Sequence, residues 1–263
     1  MSEPLDLRAR DNPRVQRWRK LASDPGAYRK AGEVWLDGEH LCEAWLQQGA
    51  APLHAVVTES GWALPAIRHL AESATDVVRV PAALMGVIST LESPPPIAFV
   101  VPWRGTGTVM ARVATVVLDR VQDPGNVGTL LRSAAAFGFT QVVALTGTAA
   151  LWSPKVLRAA MGAHFVLDLV ELADAGALAQ LEVPLLATSP HAAESVCDVA
   201  LPWPCAWLLG HEGQGLSADL MARCDQALAI PQFGAVESLN VAAAAAVCLY
   251  ESARQRRAAT RQG

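Results

Sequence analysis

Arg132 stands in a run of small and apolar residues, between Leu130 and Leu131 on one side and Ala134, Ala135 and Ala136 on the other. The stretch around it, DPGNVGTLLRSAAAFG, spans residues 123–138 and reads as a helix behind a Pro124-Gly125 turn. Asn126 suits the N-cap of that helix and Gly138 its C′ position. Long helical side chains lean toward the helix N-terminus. Arg132 lies four residues beyond Gly128, so it can reach back over Gly128 and Gly125 toward the preceding loop. A guanidinium there would lie near a helix N-terminus, which favours anions. Spacing alone leaves a second reading open, an exposed charge on the polar edge of an ordinary helix.

Two more stretches combine glycine with polar groups at the end of an apolar run. In WLLGHEGQGLS, residues 207–217, Gly210, Gly213 and Gly215 surround Glu212. Glycines let backbone groups approach a ligand closely. The run is neither G-x-G-x-x-G nor a P-loop, which argues against a dinucleotide oxidoreductase. Its plain reading is a glycine-rich turn with Ser217 as the cap of a following helix. In IPQFGAVESLNVAAAAAVCLYE, residues 230–251, a loop with Gly234 and Glu237 leads to Ser238 and Asn240, which open a helix. Ser238 is a good N-cap by type. That helix carries no charge from Val241 to Cys248. A helix apolar all round is buried, here in a tight internal or subunit interface.

Each stretch follows an apolar run that reads as a strand. The segment ARVATVVLDRV is near-continuous in β-branched residues, as in a strand buried on both faces. QVVALTG, FVLDLV, VPLLATSP, CAWLLG and QALAIP are further strands. Helices are expected around SPKVLRAAMGA, near residues 174–180 and from about Ser238. Strands alternating with helices predict a mostly parallel sheet. Ligands bind beyond the carboxyl ends of such strands. Residues before the Pro/Gly-rich segment near 102–110 form a separate, smaller α/β unit. Its first 30 residues read as one basic helix with Val15, Trp18 and Leu21 at helical spacing, followed by a strand at 33–37 and a helix at 39–48.

The chain has 263 residues, 52% hydrophobic and 17% charged, enough for packed cores. Its polar N-terminus lacks the apolar core of a signal peptide, and no run is long enough to span a membrane, so a cytoplasmic protein is expected. Five scattered cysteines read as reduced thiols, mostly buried, and no metal site is expected. Net charge is -4, yet eight basic residues from Arg8 to Lys30 face only Asp11 and Asp24, and the tail adds Arg254, Arg256, Arg257 and Arg261. These runs are solvated faces unless a site elsewhere points to nucleic acid.

Taken together, the three stretches resemble motifs 1, 2 and 3 of the SpoU/TrmH family of RNA ribose 2′-O-methyltransferases, a branch of the SPOUT superfamily. SPKVLRAAMGAHF resembles the family's intervening segment. NPRVQRWRKL, VWLDGEHLCEAW and LMGVISTLESPPPIAFVV resemble its N-terminal substrate-binding domain, which is similar to small ribosomal RNA-binding proteins. The resemblance implies an RNA-binding domain over residues 1–104 and a methyltransferase domain over 111–263, whose α/β fold contains a deep trefoil knot. It implies S-adenosylmethionine (SAM) as cofactor, contacted by Thr188, Leu209, Gly210, Gly213, Ile230, Pro231, Ser238, Leu239 and Asn240. It also implies a homodimer acting on RNA, with Arg132 as the catalytic residue and Asn126, Glu212, Ser238 and Asn240 as its neighbours.

Ribosomal RNA is the expected substrate, with transfer RNA or a non-catalytic ribosome-assembly role as alternatives. Two positions depart from the family pattern, His211 in motif 2 and Gln232 in motif 3, where Met after Pro is common. His211 is expected to point outward, and Phe233 to pack against its loop.

Overall fold

The computed structural model describes residues 3–235 and 238–261. The chain forms two compact units, Met1–Gly105 with Trp152–Phe165, and Thr106–Leu151 with Val166–Gly263. No helix among the described residues is long and apolar enough to cross a membrane.

The first unit runs β1 (Leu5–Asp6), α1 (Pro13–Ser23), α2 (Ala27–Ala31), β2 (Glu33–Asp37), α3 (Glu39–Leu46), β3 (His54–Thr58), α4 (Glu59–Trp62), α5 (Pro65–Ala71), β4 (Asp76–Val80), α6 (Ala82–Ile88) and β5 (Ile97–Pro102). Its sheet has the order β1-β4-β3-β5-β2, with β5 antiparallel to both neighbours. Val15, Trp18 and Leu21 enter the core beside Trp35, Val56, Val78 and Met85. The basic N-terminal stretch is two helices rather than one. Pro25 forces Asp24 into an extended conformation, φ -90 and ψ 117, which ends α1.

The second unit holds β6 (Thr115–Leu118), α7 (Pro124–Ala136) and β7 (Gln141–Leu145). The chain then passes through α8 (Pro154–Ala160) and a 3-10 turn at Ala163–Phe165, both in the first unit. It returns as β8 (Asp168–Ala173), a 3-10 helix at Ala175–Gln180, β9 (Leu185–Thr188), β10 (Ala206–Leu209), α9 (Ala218–Arg223), β11 (Gln226–Leu228) and α10 (Val241–Thr260). A division into two continuous stretches, 1–104 and 111–263, therefore does not describe Trp152–Phe165. That segment is held in the first unit by an Arg158–Asp37 ion pair at 3.6 Å and an edge-on contact of Phe165 with Trp45. The strand expected at 165–170 begins only at Asp168, because left-handed Met161 and Gly162 lead into the 3-10 turn.

The second sheet is parallel throughout, in the order β11-β9-β10-β6-β7-β8. Every residue of β6, β7 and β10 is buried, as their apolar runs require. Strand β10 lies between β6 and β9, with Leu209 beside Leu118, while Thr188 pairs with Leu228 at the other side of β9. The sheet direction of travel reverses between β6 and β10, the place where parallel sheets open a crevice at their carboxyl ends. The loops after these two strands are the first two glycine-bearing stretches.

The caps differ from expectation. Asp123, not Asn126, caps α7: its side chain accepts from the Asn126 backbone N–H at 2.8 Å, and Pro124 fills the first helical position, where no donor is needed. Asn240, not Ser238, caps α10, accepting from the Ala242 and Ala243 amides. Gly138 is left-handed after α7, φ 81, as a C′ glycine should be. Replacing Asp123 with Ala should lower unfolding stability by about 1 kcal/mol in urea titrations. Asn126→Ala should leave this cap intact.

Candidate active site

Helix α7 buries Val127, Gly128, Leu130, Leu131 and Ala134. Its outer stripe is Gly125, Thr129, Arg132 and Ala136. Gly128 is thus covered by the fold, and the open ground beside Arg132 lies over Thr129 and Gly125 instead. Arg132 is exposed and makes no hydrogen bond or ion pair among the described residues. A guanidinium without an internal partner is free to take an external anion.

Because Asp123 supplies the cap, the Asn126 side chain is released to bridge two other loops. Its Nδ2 donates to Glu212 Oε1 at 3.1 Å, and its Oδ1 accepts from Asn240 Nδ2 at 3.0 Å. Glu212 also accepts from the backbone amides of Asp123 at 3.0 Å and Gln122 at 3.2 Å. One connected network therefore joins the loops after β6, β10 and β11. Partial burial would raise the Glu212 pKa, but the bonds from Asn126, Asp123 and Gln122 outweigh it and hold the carboxyl below its ordinary value.

The loop carrying Glu212 is shaped by backbone crossing. A Cβ on Gly210 would lie 2.2 Å from the Gly215 carbonyl carbon and the Leu216 nitrogen, so only glycine fits. His211 and Gly215 exchange backbone hydrogen bonds at 3.1 and 2.8 Å. His211 is half-buried, and its Nδ1 accepts from the amides of Gly213 at 3.0 Å and Gln214 at 3.3 Å. The Gly213 amide is consequently engaged within its own loop.

Two residues of this frame escaped the sequence reading. Asp119, 4% exposed at the end of β6, accepts from the Ser217 amide at 3.0 Å and from Arg120 at both carboxylate oxygens. Arg120, in the left-handed region at φ 58, also donates to Gln214 at 3.2 Å. A carboxylate directly after an apolar run was the available signal, since buried charge demands partners.

Thr188, Ser189, Pro190, Ile230, Gln232, Ser238, Leu239 and Ala244 line a cavity of about 150 Å³. A larger cleft of about 700 Å³ shares Ile230, Gln232 and Leu239 with it, and adds Pro231, Phe233, Asp198 and Val247. Thr188, Ile230, Ser238 and Leu239 thus meet at one cavity, and Pro231 lies in the adjoining cleft. Leu209 is buried at the end of β10, and Asn240 belongs to the hydrogen-bonded network. Phe233 does not pack against its loop; it is 99% exposed. Val236 and Glu237 lie outside the described residues. Helix α10 is not buried all round either: Ala242, Ala245, Cys248 and Leu249 face inward, while Ala243, Val247 and Tyr250 are exposed. All five cysteines are free, and Cys42, Cys205 and Cys248 are buried.

The lowered pKa of Glu212 gives its network a pH signature. Its stabilisation is fully present above the unfolded-state value of about 4.3 and is lost as pH falls through the lower folded-state value. Thermal unfolding should show wild type more stable than Glu212→Gln at about pH 7, with the gap closing near pH 3. A gap that does not change with pH would show that the Glu212 charge contributes nothing.

Residues 114–250 match the SpoU rRNA Methylase family. The chain is 34% identical over its whole length to an uncharacterized tRNA/rRNA methyltransferase of Synechocystis sp., covering 98% of that protein. It is 30% identical to the 23S rRNA (guanosine(2553)-2'-O)-methyltransferase RlmP of Bacillus subtilis, over 91% of this chain and 95% of the relative. Its structure superposes on the SpoU methyltransferase AviRb of Streptomyces viridochromogenes, solved in complex with AdoMet. The TM-score is 0.84 at 27% identity, covering 94% of this chain and 98% of that one. The chain belongs to the SpoU rRNA methylase family.

Proposed function

We propose that this protein transfers a methyl group from SAM to a ribose 2′-hydroxyl of ribosomal RNA. The observation that carries the reading is the Glu212–Asn126–Asn240 network, which locks together three loops next to the cavity of Thr188, Ile230, Ser238 and Leu239. The B. subtilis relative is named for the same reaction on 23S rRNA.

The cavity of about 150 Å³ is small for the whole cofactor, and it is the cavity together with the adjoining cleft of about 700 Å³ whose lining suits it. Ile230 and Leu239 offer apolar surface for a purine, and Thr188, Ser189, Gln232 and Ser238 offer neutral polar groups. When bound, SAM supplies a methyl group on a sulfonium, an electrophile good enough to need no further activation. The protein's task is then to place the hydroxyl in line and ease its deprotonation. Arginine keeps its proton in ordinary protein surroundings, which makes it a poor base. Arg132 instead holds the adjacent phosphate and offsets the negative charge that grows on the ribose oxygen. Asn126, Glu212 and Asn240 act by fixing the loops, and Ser238 lines the cofactor cavity.

The reading includes a homodimer in the cytoplasm and the knot of the SPOUT fold. The dimer is supported by the exposed apolar residues Val247 and Tyr250 on α10. The insertion of β10 between β6 and β9 is compatible with a threaded chain.

Purified protein with methyl-labelled SAM should label unmodified ribosomal RNA on ribose. RNA from cells lacking the protein should lose a single 2′-O-methyl. No labelling and no lost methyl would end this reading. Arg132→Ala should cost about 10²–10³ in kcat. Arg132→Lys should restore only part of it, because Lys keeps the charge without the planar fork. Near-normal turnover by Arg132→Lys would exclude bidentate positioning.

A further inference from the structure

The loop from Gly210 to Gly215 presents Glu212 to its network, and the ring of His211 holds that loop in shape. The loop ends are joined by backbone bonds, from the His211 amide to the Gly215 carbonyl at 3.1 Å and from the Gly215 amide to the His211 carbonyl at 2.8 Å. Between them, the Gly213 and Gln214 amides both donate to His211 Nδ1, at 3.0 and 3.3 Å. Neither amide has another acceptor among the described residues. A ring nitrogen that receives two N–H groups carries no proton of its own, so this ring is neutral with its proton on Nε2. The bond to Gly213 is the one that an Asn or Asp side chain makes to the amide two residues on in an Asx turn. His211 fills that role with a side chain that changes charge between about pH 5 and 8.

Charged groups on the segments bonded to this loop are engaged elsewhere. Glu212 accepts from Asn126 and from the Gln122 and Asp123 amides. Asp119 holds Arg120 and the Ser217 amide, and Asp123 caps α7. Asp219 pairs with Arg223 along α9 at 2.8 Å. Arg120 donates to Gln214 at 3.2 Å, which brings positive rather than negative charge to the turn. Among the described residues, no carboxylate is bonded to the His211 ring.

We propose that His211 is a positioning residue for methyl transfer, and that the need for its unprotonated ring makes the transfer site sensitive to acid. The proposal rests on the reading of the protein as an RNA methyltransferase. Protonation puts a third N–H where two amides already point, so both bonds are lost together. The loop's bonds therefore stand at high pH and disappear as pH falls through the range in which an imidazole gains its proton. His211 lies between Gly210, where the backbone crossing admits no Cβ, and Glu212, which reaches Asn126 and through it Asn240. Loosening the loop at His211 thus frees the anchor of the network. The Glu212 carboxyl, held below its ordinary value, stays charged through this range. Acid accordingly reaches the network first through His211. Asparagine at this position offers an acceptor that does not titrate, and alanine offers none.

The test measures kcat/KM for methyl transfer from SAM to in vitro transcribed, unmodified 23S rRNA, using the full chain as wild type, H211N and H211A. At about pH 8, H211A should lose about tenfold, the effect of two missing bonds, and H211N should recover most of that loss. The ratio of wild type to H211N should fall about tenfold on going to about pH 5.5. Losses that arise at the ribose hydroxyl or at Glu212 are common to both proteins and cancel in the ratio. The loop itself is read without SAM or RNA, by nitrogen NMR of histidine-labelled protein. Nδ1 of His211 should be bare at about pH 8 and gain its proton as pH falls, and the Gly213 and Gln214 amide resonances should move with it in wild type but not in H211N. A proton on Nδ1 at about pH 8 overturns the proposal, as does a ratio that does not change with pH. Equal movement of the two amides in H211N overturns it too. The comparison of wild type with H211N decides the matter even if H211A does not fold. A loop that opens with acid in a protein that transfers no methyl at any pH would support the role of His211 in the loop and count against the methyltransferase reading alone.

Discussion

The architecture of the site depends on how one carboxylate is kept charged. Glu212 sits on a mostly exposed loop, where an isolated carboxylate would be solvated and its side chain free. Here it collects two backbone amides and one side-chain amide from the loop after β6. Bonds to an ionised acceptor are about twice as strong as neutral ones. Their sum offsets the entropy of ordering two loops. Asn126 extends this to a third loop, because its amide donates to Glu212 with one end and accepts from Asn240 with the other. Asn240 in turn caps α10. The start of a 20-residue helix is thereby tied to a loop that is remote in sequence.

Sheet order makes that chain of bonds geometrically possible. Residues far apart in sequence become neighbours because β10 pairs with β6. Asp119 then bridges the two strand ends by accepting the Ser217 amide, and Arg120 shields its charge. The tight crossing at Gly210 brings the loop back on itself, and His211 closes it with its ring nitrogen. Each contact is modest alone. Together they tie the loops after β6, β10 and β11 to one another.

The strands were legible because they are buried on both faces: TVVL, QVVAL and AWLL have no polar phase to confuse them with helices. The order in which they pair was not legible, since periodicity carries no information about which strand β10 joins. The caps misled for a physical reason. Asp123, Asn126, Ser238 and Asn240 all have side chains able to cap a helix, and the choice among them is settled by where Pro124 falls and by what else each side chain can reach. Asn126 was more useful as a bridge. Composition also could not tell burial within the chain from burial against another, so α10 read as covered all round although Val247 and Tyr250 are open. The likeness to SpoU proteins singled out Glu212 and Arg132, but only the geometry separates a residue that holds loops from one left free.

The passage of Trp152–Phe165 through the first unit has a practical consequence for dissecting this protein. The chain passes from one unit to the other after Gly105, after Leu151 and after Phe165. A protease that cuts only the segment near residue 105 leaves the pieces covalently joined at the other two passages. Truncation there would remove Asp37 and Trp45, stranding Arg158 and Phe165 without the partners they have now. A methyltransferase fragment designed to start after residue 105 would thus carry an orphaned apolar segment, and its solubility would report on that segment rather than on the catalytic fold.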